Sequence, residues 1–138
     1  MADNRQINEK YQKIGENLIA TEPVLEYIKQ SDARIVFLES EHEPKVNDRK
    51  TLGKCEKVAT KYKWGIPADF TITLYEPNIE GLTEKQIEIL ILHELLHVGI
   101  KEDIDFNEAY FVQPHDLEDF KYIIDKYGTD WDTVKDYE

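Results

Sequence analysis

Residues 81–99, "GLTEKQIEILILHELLHVG", constrain the fold more than any other stretch of the chain. Thr83 and Gln86 occupy the two positions of a capping box, and helix formers run unbroken from there to Gly99. The pattern therefore predicts a helix with a marked start and a marked stop. From Ile87 to Val98 every non-apolar residue except Glu88 belongs to the set His93, Glu94 and His97. A helix that is apolar on nearly all sides is drawn into the interior of a domain, so the other elements are expected to pack around this one.

Burial makes the three polar residues informative. A carboxylate taken out of water without a partner is costly, which argues against reading Glu94 as an ordinary surface residue among Leu90, Ile91, Leu92, Leu95, Leu96 and Val98. At about 100° per residue, two helical positions four apart lie about 40° from each other around the axis and one turn apart along it. His93 and His97 can then reach one metal ion while Glu94 stands on the neighbouring edge. Neutral imidazole nitrogens suit zinc, and a carboxylate beside the ion can take a proton from a water that the metal activates.

A catalytic zinc needs a third protein ligand and an open fourth position. The other histidines are His42 and His115. His42 sits in the polar stretch "ESEHEPK" and reads as solvated. His115 follows His97 by 18 residues (115 minus 97), far enough for the chain to reverse and return over the first two ligands. Its ordinary alternative is a surface histidine at a helix start. Two carboxylates also stay in view. Asp103 stands where a metzincin pattern has its third ligand, although Ile100 replaces that pattern's glycine, and Glu118 would suit a thermolysin-like arrangement. The order of preference is His115, then Glu118, then Asp103. Asp116, Glu118 and Asp119 read equally as carboxylates that orient imidazoles or as solvated charges near a helix start.

The remaining pattern is that of an α+β domain. Ile7, Tyr11, Ile14 and Leu18 mark one helix face, and Thr21 with Pro23 starts a second helix that ends at Ser31 and Asp32. "ARIVFLES" and "TLGKCEKVAT" read as strands separated by a polar loop over 39–50, and Gly65 and Pro67 mark a turn. "FTITLY" over 70–75 alternates clearly. If it lies at a sheet edge it can pair with an extended substrate through its Thr71 and Thr73 face, the other reading being a solvated sheet face. Residues 101–114 read as an irregular connection. Pro114 then introduces a last helix with Leu117, Phe120, Ile124 and Tyr127 on one stripe and Gly128 as its stop, and Trp131 partly orders the tail. Tyr110 and Tyr127 are open choices for an oxyanion donor. The expectation is one domain over 1–138, with a helical segment over 1–32 and a core over 33–138. That core would contain a small mixed sheet of three or four strands, the metal-bearing helix and a final helix across it.

Charge narrows the partners. A formal net charge of −12, with acidic residues spread along the chain, disfavours a phosphate backbone. A local strip over 45–63 sets Lys45, Arg49, Lys50, Lys54, Lys57, Lys61 and Lys63 against Asp48 and Glu56, and reads more readily as a solvated strand face. Cys55 is the only cysteine, so no internal disulfide is available, consistent with a reducing compartment. No secretory leader is recognisable, and "ILIL" is far too short to span a bilayer. A cytoplasmic monomer without nucleic-acid or membrane partners is expected.

The run "DFTITLYEPNIEGLTEKQIEILILHELLHVGI" followed by "HDLEDFKYIIDKYGTDW" resembles the putative phage metallopeptidase family, small zincin-like proteins encoded by phages and mobile elements. A more distant similarity is to SprT-like metalloproteases, whose late histidine also opens a helix after the His-Glu-His helix. The likeness runs from Ala33 onward. It implies a zincin-like minimal metalloprotease fold, His93, His97 and His115 as zinc ligands, and Glu94 as the catalytic acid/base. It also implies a protein or peptide substrate and, for a phage-encoded chain, the host cytoplasm. The zinc-ribbon cysteine cluster of the SprT-like group is absent here, which with the acidic charge argues against DNA-linked proteolysis. Zinc-dependent peptide hydrolysis is thus the leading expectation. Its competitors are a zinc-stabilised binding or inhibitory protein without turnover, and an amidohydrolase acting on a non-peptide substrate.

Overall fold

The computed structural model describes residues 5–46, 49–59, 68–102 and 108–114. The chain enters on a short strand, β1 (Arg5–Ile7), and passes into α1 (Glu9–Thr21), where the Asn8 side chain accepts from the Tyr11 amide and caps the first turn. Pro23–Leu25 makes a single 3-10 turn before the short α2 (Glu26–Lys29). Then come β2 (Ile35–Ser40), the two-residue strands β3 (Lys45–Val46) and β4 (Arg49–Lys50), β5 (Gly53–Lys57) and β6 (Phe70–Tyr75). Next follow α3 (Glu76–Ile79), α4 (Glu84–Leu95), β7 (Val98–Glu102) and β8 (Glu108–Val112). The architecture is mixed α+β, as the sequence predicts.

One mixed sheet of four strands, ordered β1-β2-β6-β5, forms the floor. β6 runs parallel to β2 and antiparallel to β5, so it is an interior strand. This corrects the expectation of a substrate-pairing edge at "FTITLY". Phe70, Ile72, Thr73, Leu74 and Tyr75 are all buried, as befits a strand covered on both sides. Thr73 accepts from Arg5 Nη1 at 3.2 Å, and the same guanidinium reaches Glu56 Oε1 at 2.6 Å, so its hydroxyl is part of a bridge from β1 to β5. Among the described residues the edge beside β6 belongs to β5.

Register decides which side chains meet the helices. Gly53, Cys55 and Lys57 stand opposite Leu74, Ile72 and Phe70. Gly53 and Cys55 therefore share the face on which Phe37, Ile72 and Leu74 pack against Leu90, Ile91 and Leu95 of α4 in a single core. The capping box is present as predicted: the Gln86 amide donates to Thr83 Oγ1, and the Thr83 amide donates to Gln86 Oε1.

Three further expectations need correction. Residues 5–7 are a strand within the sheet, so the segment over 1–32 is not purely helical; three residues read as a strand here only through their pairing with 38–40. The polar loop over 39–50 contains the small β3–β4 ladder. The stretch after His97 is mostly β7 and β8, an antiparallel pair, and α4 ends at Leu95 instead of running to Gly99. Gly99 serves this pairing: it faces Phe111, and a Cβ there would come within 2.6 Å of that ring. Its lack of a side chain seats an aromatic cross-strand partner. The expected turn at 65–67 and the last helix lie outside the described residues. No described helix is long and apolar enough to cross a membrane.

Candidate active site

His93 and Glu94 occupy the last turn of α4, and His97 follows in the turn that links α4 to β7. That turn is tight: the Leu96 amide bonds the Leu92 carbonyl and the His97 amide bonds the Glu94 carbonyl at 3.1 Å. The two imidazoles thereby stay together although the regular helix has ended, with ring centroids 5.2 Å apart and planes at 71°. Both rings are partly exposed, whereas Glu94 is 4% exposed.

The three side chains line a cleft of about 230 Å³. Its opposite wall is Gly53, Lys54 and Cys55 of β5, and Val112 of β8 also lines it. A larger cavity of about 340 Å³ lies between α1 and the start of β2, with Gln12, Glu16 and Arg34 in its lining but no histidine or cysteine. The chemistry therefore points to the smaller cleft.

His97 is oriented by the β7–β8 unit. Its Nδ1 lies 2.6 Å from the Gln113 carbonyl oxygen, and the Gln113 amide returns a bond to the His97 carbonyl, also at 2.6 Å. A carbonyl can only accept, so the ring proton sits on Nδ1 and the lone pair of the neutral imidazole on Nε2. Metal-binding histidines use this arrangement, in which a backbone carbonyl fixes the tautomer and the ring orientation. Beneath the same turn, the Tyr27 hydroxyl donates to the Val98 carbonyl at 2.6 Å. Burial first, and then the charge of nearby Cys55, push the Tyr27 phenol up to about 12, so it is a neutral donor at ordinary pH. The Cys55 thiol is pushed well above its usual range by burial, then by Glu94 and by Glu56. A thiol kept protonated in this way is a small apolar wall, not a nucleophile.

The other predicted residues separate. His42 is exposed and meets Tyr75 edge-on at 6.5 Å, outside the lining of the cleft. Tyr110 packs edge-on against Phe70 at 5.6 Å and donates to Glu108 Oε1 at 2.9 Å, which turns its hydroxyl to a different use from oxyanion binding. His115, Glu118, Asp103 and Tyr127 lie outside the described residues, among which no cluster of three or more histidine, cysteine or carboxylate ligands occurs. Two imidazoles with one tautomer already set nevertheless fit a metal ion of the zinc type. Sequence reasoning passed over Gly53, Cys55, Val112 and Gln113. For Gly53 the available signal was a glycine inside a strand, a mark of close approach by another group. For the others, long-range pairing alone brings them to the cleft.

A small α+β protein whose cleft sets a pair of imidazoles and a buried carboxylate against a sheet edge is the class that these elements define. A family model described as putative phage metallopeptidase matches residues 4–137, and the chain belongs to that family. The match takes in the N-terminal segment, so the likeness is broader than the stretch from Ala33 onward. Membership implies a peptidase that works with a metal, and hence a protein or peptide substrate. Comparison with curated proteins and with solved structures gave no match.

Proposed function

We propose that the protein is a zinc-dependent metallopeptidase in which His93, His97 and His115 hold the ion and Glu94 moves the proton. The observation that carries this reading is the pairing of two imidazoles 5.2 Å apart with a carboxylate only 4% exposed in one cleft. Chain geometry supports His115 as the third ligand. Gln113 is bonded to His97 through both its amide and its carbonyl, and the Cα of residue 115 can lie no farther than about 7 Å from that of residue 113. β7, by contrast, spans about 13 Å from Val98 to Glu102, the last described residue before Asp103. Glu118 is less constrained by connectivity than His115.

A zinc ion held there supplies Lewis acidity, activating water and polarising a peptide carbonyl. Glu94 takes a proton from the attacking water as its oxygen bonds to the carbonyl carbon. The carbon–nitrogen bond then breaks, and Glu94 returns the proton to the departing amine, leaving a carboxylate and an amine as products. β5, paired only with β6 among the described residues, offers main-chain donors and acceptors to an extended substrate beside the cleft. Cleavage of an unfolded protein such as reduced casein is the test. Chelation with 1,10-phenanthroline should abolish cleavage and stoichiometric zinc should restore it; cleavage that survives full removal of metal contradicts the proposal.

A further inference from the structure

Gly53 begins β5, the strand that walls the cleft opposite α4. A Cβ placed there would lie 3.2 Å from the Thr73 carbonyl oxygen, 3.3 Å from Glu94 Oε2 and 3.4 Å from Glu94 Cγ. Two of the three nearest atoms thus belong to one side chain, the buried carboxylate of the cleft. The third belongs to the backbone of β6, which is held between β2 and β5 and has little freedom to withdraw. A methyl group at position 53 would press on both, and of the two neighbours the Glu94 side chain is the one that can give, by a few tenths of an ångström.

We propose that Gly53 is a positioning residue for Glu94. Its bare backbone lets β5 close against the carboxylate, and that wall, together with the end of α4, defines where the carboxylate stands relative to the imidazoles. The proposal rests on the reading of Glu94 as the proton-transfer group, and it adds a source of precision outside the His-Glu-His segment. Proton transfer depends steeply on placement, and misplacement by about 1 Å can cost about 100-fold in rate. A shift of a few tenths of an ångström should cost on the order of tenfold.

The test is a double-mutant cycle on the full chain, comparing the wild type, Gly53→Ala, Glu94→Ala and the double variant by thermal unfolding. Alanine at 94 removes both Glu94 atoms that the new methyl would meet. The contact with the Thr73 carbonyl is common to both backgrounds, so Gly53→Ala should lower the melting temperature by about 3 °C or more beyond the loss it causes when Glu94 is absent. If Gly53→Ala fails to fold, a folded double variant supports the proposal and an unfolded one overturns it. Equal losses in both backgrounds, or no loss in either, also overturn it, because the strain would then not fall on Glu94. With a substrate that the wild type cleaves, Gly53→Ala should lower kcat about tenfold while KM moves less than about threefold. A raised KM with unchanged kcat would assign Gly53 to substrate binding instead. Failure of the Glu94 reading is seen separately: Glu94→Gln with full activity removes the proton-transfer role and leaves the stability cycle as measured.

Discussion

At the scale of single residues, the cleft is organised by groups that are not themselves reactive. His97 takes its tautomer from the Gln113 carbonyl, and the turn that carries it is held by Tyr27 through the Val98 carbonyl. Gln113 stands two residues before the histidine proposed to complete the ligand set, so one contact both orients the His97 ring and returns the chain to the cleft. His115→Ala should therefore lower zinc affinity by at least 100-fold, with less than one zinc per chain retained after dialysis, measured by elemental analysis. Full-affinity binding by that variant would remove His115 from the metal. That His93, Glu94 and His97 come together on one side of the chain was legible from spacing, because the helical repeat is a local property. Gly53 was legible only as a strand glycine, since nothing near it in the chain says that the group lying against it is Glu94.

Among elements, α4 was the most legible and β6 the most misleading. The start and environment of α4 follow from its own residues: Thr83 and Gln86 close the capping box, and Ile89, Leu90, Ile91, Leu92 and Leu95 fill the core, whereas its end at Leu95 comes with the turn into β7. Thr83→Ala removes the side-chain acceptor for the Gln86 amide and should cost about 1 kcal/mol, read as a lower urea midpoint at constant m-value. An unchanged midpoint would mean that burial alone holds the start of this helix. The alternation of "FTITLY" identified a strand correctly, but alternation says nothing about neighbours. Parallel pairing with β2 is a long-range event that makes β6 an interior strand, and the threonines that looked solvent-facing are a buried Thr73, reached by Arg5, and a half-buried Thr71. β7 and β8 were missed for a related reason. Their pairing is registered by Gly99 against Phe111, and the charged residues around 101–108 mask the alternation.

At the scale of the whole molecule, the fold brings three distant parts of the chain to one cleft: the end of α4, the edge strand β5, and β8 with its exit at Gln113. The N-terminal strand takes part as well, since Arg5 crosses the sheet to Glu56 on β5 and thereby braces the wall that Glu94 faces. The account stands on one division of labour: the histidines hold the metal and Glu94 performs the proton transfer. Glu94→Gln separates the two most directly, since it keeps shape and hydrogen-bonding capacity but removes the base. The measurement is zinc content and casein cleavage on the same preparation of that variant. The account predicts one zinc per chain, as in the wild type, with cleavage reduced by at least 100-fold. Full cleavage by the zinc-loaded variant would contradict it.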